Sequence, residues 1–434
     1  GHDLPARMLS AELRSERPGI EVAVVDGLAA MGRGMQKLIR DGSWFSFRWL
    51  PWAFEVQYFL LSRFAPTRRF AQWLGYQLTS RRMLGLIRAY RPDAVVSTYP
   101  GATEIIGELR RRGRLDLPTY SAITDLAGLR FWAHRGIDLH LVTHRESIEE
   151  VERIAGPGSV RLARAPTSAA FMAPRARADA RRALDLPADG PVIVVSGGGW
   201  GMGDLTGAVE TALEVEGSTV VCITGHNEGA ARKLDRRFGD EERLRVVGFT
   251  DRMSDLMAAA DAMIHSTAGL TVLEAQIRGC PVISYGFGIG HIRLNNTAYE
   301  RFGLARVARR RADLAPALEA ALAEERRPDL ELTRLRTPSS FVLEGRKRVE
   351  PAHVWRARLA RVAATGAATI GLIAVNLATD APSDLVAFAK HHVPFHHRAA
   401  AVRTPRPGAL PPVIARGRSH RAPQAPAAPA ATPR

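Results

Sequence analysis

Short apolar runs alternate with longer amphipathic segments, and the alternation occurs twice along the chain. In the second half the runs are PVIVVSGGG (191–199), STVVCITG (218–225), LRVVGF (244–249), DAMIHS (261–266) and PVISYG (281–286). Helical patterns fall between them, around 205–215, 228–238, 252–259 and 270–278. In the first half the runs are IEVAVVD (20–26), DAVVSTY (93–99), PTYSAIT (118–124) and IDLHLVTH (137–144), with a helical stretch from Glu104 to Arg112. Strands that are apolar throughout, rather than alternating, belong to parallel sheets covered on both faces. The expectation is therefore α/β: two Rossmann-like, doubly wound domains with a cleft between them. Residues 1–165 form the first, 166–190 a Pro-, Ala- and Arg-rich linker with a short helix, and 191–345 the second. Residues 346–434 form a C-terminal extension. Ligands of such sheets bind at the carboxyl ends of the strands.

The richest strand end is VVSGGGWGMGDL, Val194 to Leu205, with five glycines and a helix expected from Asp204. Bare backbone lets amides approach a phosphate, and a helix N-terminus favours an anion. Two further strand ends carry compatible chemistry. TGHNE brings Gly225 and Asn227. HSTAGLTVLEAQ places Ser266, Thr267, Ala268, Gly269, Leu270 and Thr271 at a second helix start, with Glu274 about one turn further in. A carboxylate there suits a ribose, accepting from two hydroxyls. Convergence of the three ends points to a nucleoside diphosphate. No GxxxxGK[ST] loop is present, and Gly199, Gly201 and Gly203 give GxGxG rather than GxGxxG. There is also no DxD pair to hold a diphosphate through a metal, so helix N-termini have to stabilise a leaving diphosphate.

Charge narrows the partners. The net charge is +16, but 346–434 alone holds 14 Lys/Arg against 3 Asp/Glu, so 1–345 keeps only +5. A thinly spread excess argues against nucleic acid as a partner. The basic tail ends in Pro, Ala and Arg, a composition that cannot bury a core. Two cysteines, Cys222 and Cys280, form no CxxC and no zinc spacing. A reducing cytosol fits, with no disulfide framework and no structural metal.

These motifs are familiar together. SGGGWGMGDL, GHNE, VVGFTDRMSDLMAAADAMIHSTAGLTVLEAQIRGCPVI and GHIRLNN resemble the C-terminal domain of GT-B glycosyltransferases of the MurG and monogalactosyldiacylglycerol (MGDG) synthase group. YPGATEIIGELRRRG and AITDLAGLRFWAHRGIDLHLV resemble the N-terminal domain of MGDG synthases and processive diacylglycerol glucosyltransferases. The resemblance covers about residues 1–345. It implies inverting, metal-independent transfer from a UDP-sugar, as substrate rather than cofactor, to a lipid acceptor at a membrane surface.

By the same resemblance, Gly198, Gly199 and Gly201 face the diphosphate, and Phe249 borders the uracil. Thr267, Ala268 and Gly269 hold phosphate, and Glu274 the ribose. His2 is the candidate general base, with Asp125 in ITDL its partner or alternative. Trp132 and His134 line the acceptor side. Two departures stand out. The chain opens at Gly1-His2, where the family has a strand and glycine loop before that histidine, so a preceding segment is expected. Where relatives read the donor sugar with a Gln/Glu or Gln/Gln pair, this sequence has His291, Ile292 and Arg293 followed by Asn295 and Asn296, which become the candidates for sugar hydroxyls.

Residues 44–76 hold 12 of the 29 aromatics, with interleaved arginines and one carboxylate, Glu55. That concentration reads as an interfacial acceptor gate, with Trp49 and Trp52 at headgroup depth; a buried helical hairpin is the alternative. The uncharged run 362–379 is just long enough to span a membrane if helical. The expected location is peripheral, on the anionic cytoplasmic face of the plasma membrane, with that single span as an option. Two rivals to transfer remain at this stage: a sugar-nucleotide epimerase of the same fold, and a non-catalytic sugar-nucleotide-binding protein.

Overall fold

The computed structural model describes residues 3–32, 56, 59–61, 64–267, 269–286, 288 and 290–345. His2, Trp49, Trp52, Ala268 and the run 362–379 lie outside the described residues.

The first unit holds helices α1 (Asp3–Glu16), α2 (Gly27–Met31) and α3 (Ala65–Tyr90), then strand β1 (Val95–Ser97) and helix α4 (Pro100–Arg111). Strands β2 (Thr119–Ile123) and β3 (Leu139–Val142), helix α5 (Ile148–Ala155) and strand β4 (Val160–Leu162) follow. The four strands form one parallel sheet in the order β1-β2-β3-β4. Prolines at the first turns of α3 and α4 suit helix starts, because the amides there have no intrahelical partner.

One expected strand is not formed. Residues 20–26 run without a ladder. Ile20 and Val22 pack beside Val96 under the sheet, but Val24 and Val25 are exposed. Strand propensity is realised only where a neighbour offers hydrogen bonds, and no described strand pairs with this run. In its place Asp26 caps α2, accepting from the amides of Leu28 (2.9 Å) and Ala29 (3.3 Å).

The second unit begins with α6 (Arg177–Ala183) and contains β5 (Val192–Ser196), α7 (Leu205–Leu213), β6 (Thr219–Ile223), α8 (Glu228–Phe238) and β7 (Leu244–Val247). It continues with α9 (Met253–Ala259), β8 (Ala262–His265), α10 (Thr271–Arg278), β9 (Val282–Tyr285), α11 (His291–Phe302), β10 (Arg306–Ala308) and α12 (Arg311–Leu322). Its six parallel strands lie in the order β10-β9-β8-β5-β6-β7. Sequence order reverses between β5 and β8, which makes their carboxyl ends the topological switch point. Successive residues feed opposite faces of this sheet. Val192, Val194 and Met263 pack with Val272 and Ala275 of α10, while Ile193, Val195 and Ile264 pack with Ala208 of α7 and Leu314 of α12.

The segment between the sheets is strapped to the second unit. Buried Arg181 of α6 donates to the carbonyls of Ala259 (3.1 Å) and Ala188 (2.7 Å) and pairs with Asp261 (2.6 Å). Arg278, at the end of α10, donates to the carbonyls of Ala170 and Ala173. After helix α13 (Glu331–Arg334) the chain returns to the first unit. Helix α14 (Pro338–Leu343) lies on α1, where the Ser339 hydroxyl donates to Glu12 (2.9 Å) and Phe341 packs with Leu9 and Leu13. Among the described residues, no helix is long and apolar enough to cross a membrane.

Candidate donor and acceptor site

The glycine turn after β5 is held by its neighbours at the switch point. Gly198 has φ +66°, and a Cβ there would stand 2.7 Å from the Thr267 methyl. Gly203 has φ +89°, and a Cβ there would collide with Ser266. So two glycines let the turn lie directly on the β8 loop. On its other side, the His226 amide donates to Gly199 O (2.8 Å) and Asn227 Nδ2 to Gly201 O (3.3 Å). Gly225 fits against the carbonyls of Gly198 and Gly199. Gly225 and Asn227 therefore hold the turn, and Asn227 also caps α8 through the Ala230 amide (2.9 Å). At Gly199 a Cβ would meet nothing within 4 Å, so this is an open point of the turn.

The two helix starts at the switch point differ. At α7 the Asp204 carboxylate caps the Gly207 amide (2.9 Å) and accepts from Tyr285 Oη (3.0 Å). A second anion there would face that carboxylate. At α10 the N-cap is Leu270, and no side chain caps the helix. Its first amides and its dipole are the ones left to an anion. Ser266, Thr267, Gly269 and Thr271 surround this start. Glu274, in its first turn, is partly buried and accepts from the Thr167 hydroxyl. Burial raises its pKa, and the Thr167 hydrogen bond works against that rise.

Trp200 and Phe249 are exposed at the ends of β5 and β7, at 72% and 64%. His226 lies between them, stacked on Phe249 at 4.4 Å with 9° between the rings, and edge-on to Trp200 at 6.3 Å. Solvent-facing aromatics in register offer a platform for a planar base. Trp200 and His226 were not among the sequence candidates, although both stand inside the quoted motifs.

Asp125 follows β2 and lies at the seam between the units. It is 7% exposed, and Oδ2 accepts from Trp132 Nε1 (3.1 Å). Burial raises its pKa, against the lowering influence of His291 and of the Trp132 hydrogen bond. Next to it the amides of Leu126 (2.8 Å) and Ala127 (3.3 Å) donate to Asn295 Oδ1 of α11. Asn295 Nδ2 in turn donates to His291 O (2.8 Å), and Asn296 Oδ1 accepts from Ser284 (2.7 Å). Both asparagines are buried, at 0% and 2% exposure. This corrects the expectation that they read sugar hydroxyls: their polar atoms join the two units and brace β9.

Trp132 and His134 are also relocated. Trp132 is 2% exposed and orients Asp125 from within the core. His134 is pressed against Gly107, with Glu108 at 3.6 Å and Glu104 at 3.8 Å. Burial alone lowers its pKa; the two carboxylates outweigh that and raise it. Among the described residues, Trp132 is engaged by Asp125 and His134 by Glu104 and Glu108. Among the described residues, no group of three or more His, Cys, Asp or Glu is placed to hold a metal ion.

Two tandem parallel-sheet units, joined at a seam that carries an acid and with a phosphate-type turn at the switch point of the second, define a GT-B chain. Residues 2–158 match the family model described as monogalactosyldiacylglycerol (MGDG) synthase, and residues 193–324 match that of glycosyl transferases group 1. The chain is 26% identical over 255 residues to a processive diacylglycerol beta-glucosyltransferase of Bacillus licheniformis, covering 58% of this chain and 66% of the relative. It is 24% identical over 253 residues to the Bacillus subtilis protein of that name, with the same two coverages. The aligned stretch thus falls just short of two thirds of these relatives. Among solved structures it is similar to MurG of Acinetobacter baumannii (16% identity, TM-score 0.43, 62% of this chain and 77% of that one). It is also similar to S. aureus MnaA in its UDP co-structure (11%, TM-score 0.47, 79% and 92%). The two family-model matches and these relatives support a likeness to the GT-B lipid glycosyltransferases of the MGDG synthase and processive diacylglycerol glucosyltransferase group.

Proposed function

We propose that the chain transfers a hexose or N-acetylhexosamine from a UDP-sugar to a diacylglycerol-like lipid, with inversion and without a divalent metal. The observation that carries this reading is the uncapped start of α10 beside the glycine turn, with Glu274 in its first turn. The diphosphate takes the α10 amides, the ribose hydroxyls donate to Glu274, and the base lies on the aromatics around Phe249. As the acceptor oxygen attacks the anomeric carbon, its proton passes to a base and the bond to UDP breaks. The helix dipole stabilises the diphosphate charge that develops.

Asp125 is the candidate base among the described residues, with His2 its partner or alternative. A raised pKa suits a carboxylate to that task. The names of the relatives support the lipid acceptor. Exposed Phe59, Phe64 and Trp73 support peripheral contact with a membrane surface, which this reading places on the anionic cytoplasmic side. Calorimetry with UDP tests the donor half of this reading. UDP binds, and binds equally with EDTA present; a strict requirement for Mg²⁺ or Mn²⁺ overturns the metal-free assignment.

A further inference from the structure

Asp125 follows β2 of the first unit, and His291 is the first residue of α11 in the second. One side chain ties their backbones together. Asn295, a turn into α11, bonds on both sides. Its Oδ1 accepts from the amides of Leu126 (2.8 Å) and Ala127 (3.3 Å), the two residues after Asp125. Its Nδ2 donates to His291 O (2.8 Å). Asn295 is 0% exposed, so these bonds form without competition from water. A single buried amide therefore sets the register of the acid against the imidazole.

The entry to α11 is set as well. Gly288 has φ +69°, and a Cβ there would stand 3.0 Å from the Arg293 amide nitrogen, so the preceding turn folds onto the helix start. His291 stays exposed in that first turn. A protonated ring at a helix N-terminus opposes the dipole, and a facing carboxylate offsets this. Asp125 is placed to do so. Trp132 holds its Oδ2, and among the described residues nothing is bonded to Oδ1. Burial pushes the Asp125 carboxyl up, and His291 leads the influences that pull it down, ahead of the Trp132 hydrogen bond. Two other titratable groups bear on Asp125. One is the chain's amino group, which also lowers its pKa; the other is Tyr299 of α11, itself raised by burial and by the Asp125 charge. Opposite charges attract more strongly at a desolvated seam than in water.

We infer that His291 is a positioning residue for Asp125: from across the seam its protonated ring holds the buried carboxylate in the ionised form, the form that accepts a proton. The consequence for turnover rests on Asp125 being the base; the pairing itself does not. The test follows the carboxyl carbon of Asp125 by NMR across pH, in the full chain labelled at aspartate, with Asp125→Asn identifying the resonance. H291Q removes the charge from an exposed position. H291K keeps a charge there.

In H291Q Asp125 titrates at higher pH than in the wild type, because burial is then less opposed, and H291K returns it toward the wild-type position. The amino group and Tyr299 are common to all three proteins and cancel in the comparison. An Asp125 titration that does not move in H291Q, or that moves equally in H291Q and H291K, overturns the inference. The pH dependence of kcat/KM reads the base assignment separately: its acid limb moves upward in H291Q together with the Asp125 resonance. If the resonance moves and the acid limb does not, the pairing stands and the assignment of Asp125 as base falls.

Discussion

Thr167, on the segment joining the two sheets, donates its hydroxyl hydrogen bond to the Glu274 carboxylate. The proposed ribose acceptor is thereby engaged by the interdomain segment. Glu274→Ala weakens UDP binding by about 1–3 kcal/mol, the range for a lost hydrogen bond to a charged group. Thr167→Val does not weaken it, because the carboxylate is left to the ribose hydroxyls, but lowers stability by about 1 kcal/mol. Calorimetry and urea unfolding of the two variants separate these effects. Equal UDP affinity in wild type and Glu274→Ala removes Glu274 from the ribose.

Asn295→Ala leaves the Leu126 and Ala127 amides without their acceptor at a buried seam. Its cost is about 1–3 kcal/mol of unfolding free energy, with UDP affinity unchanged in the folded protein. A variant of wild-type stability that loses selectivity between UDP-sugars restores Asn295 to the sugar pocket.

The sheets were legible because parallel strands are apolar on both faces. Ile193 and Val194 feed opposite cores, and no polar residue interrupts them. The glycine turn was legible for the same kind of reason: few side chains are tolerated where it meets Thr267 and Ser266. Strands β4 and β10, three residues each, carry too little pattern to stand out. Asparagines misled, because an amide that reads a sugar and one that bridges two units have the same sequence signature. Asn295 and Asn296 are told apart from ligand-binding residues only by burial and partners. His134 misled likewise: Glu104 and Glu108, a turn apart on α4, are what engage it.

Asp125→Asn keeps the seam geometry but removes the proton acceptor. Turnover falls by ~10²–10⁴, the contribution of general base catalysis, with donor affinity retained. Because burial raises the Asp125 pKa, kcat/KM of the wild type falls on acidification at a pH above the ordinary carboxylate range. Full turnover in Asp125→Asn, together with inactivity of His2→Ala, assigns the base to His2.

His144 and His265 are buried, each with Nε2 lacking a partner among the described residues, and burial lowers both pKa values from 6.5 to about 4. Between those values the unfolded chain holds more protons than the folded one. Stability therefore falls as pH drops from about 6.5 toward about 4, by up to ~1.4 kcal/mol per pH unit for each histidine. Urea unfolding across this window measures the slope, and His265→Asn removes about half of this two-histidine contribution. A slope unchanged in that variant contradicts the assignment.

The account stands most directly on the identity of the product. The full chain, given UDP-glucose, UDP-galactose or UDP-N-acetylglucosamine with diacylglycerol in phosphatidylglycerol vesicles, is followed by mass and by the anomeric configuration of the lipid product. The prediction is a β-linked glycosyl-diacylglycerol from at least one donor, with one UDP released per sugar transferred and turnover sharply reduced in Asp125→Asn. An epimerised UDP-sugar without glycolipid, or no product from any donor that binds, contradicts it.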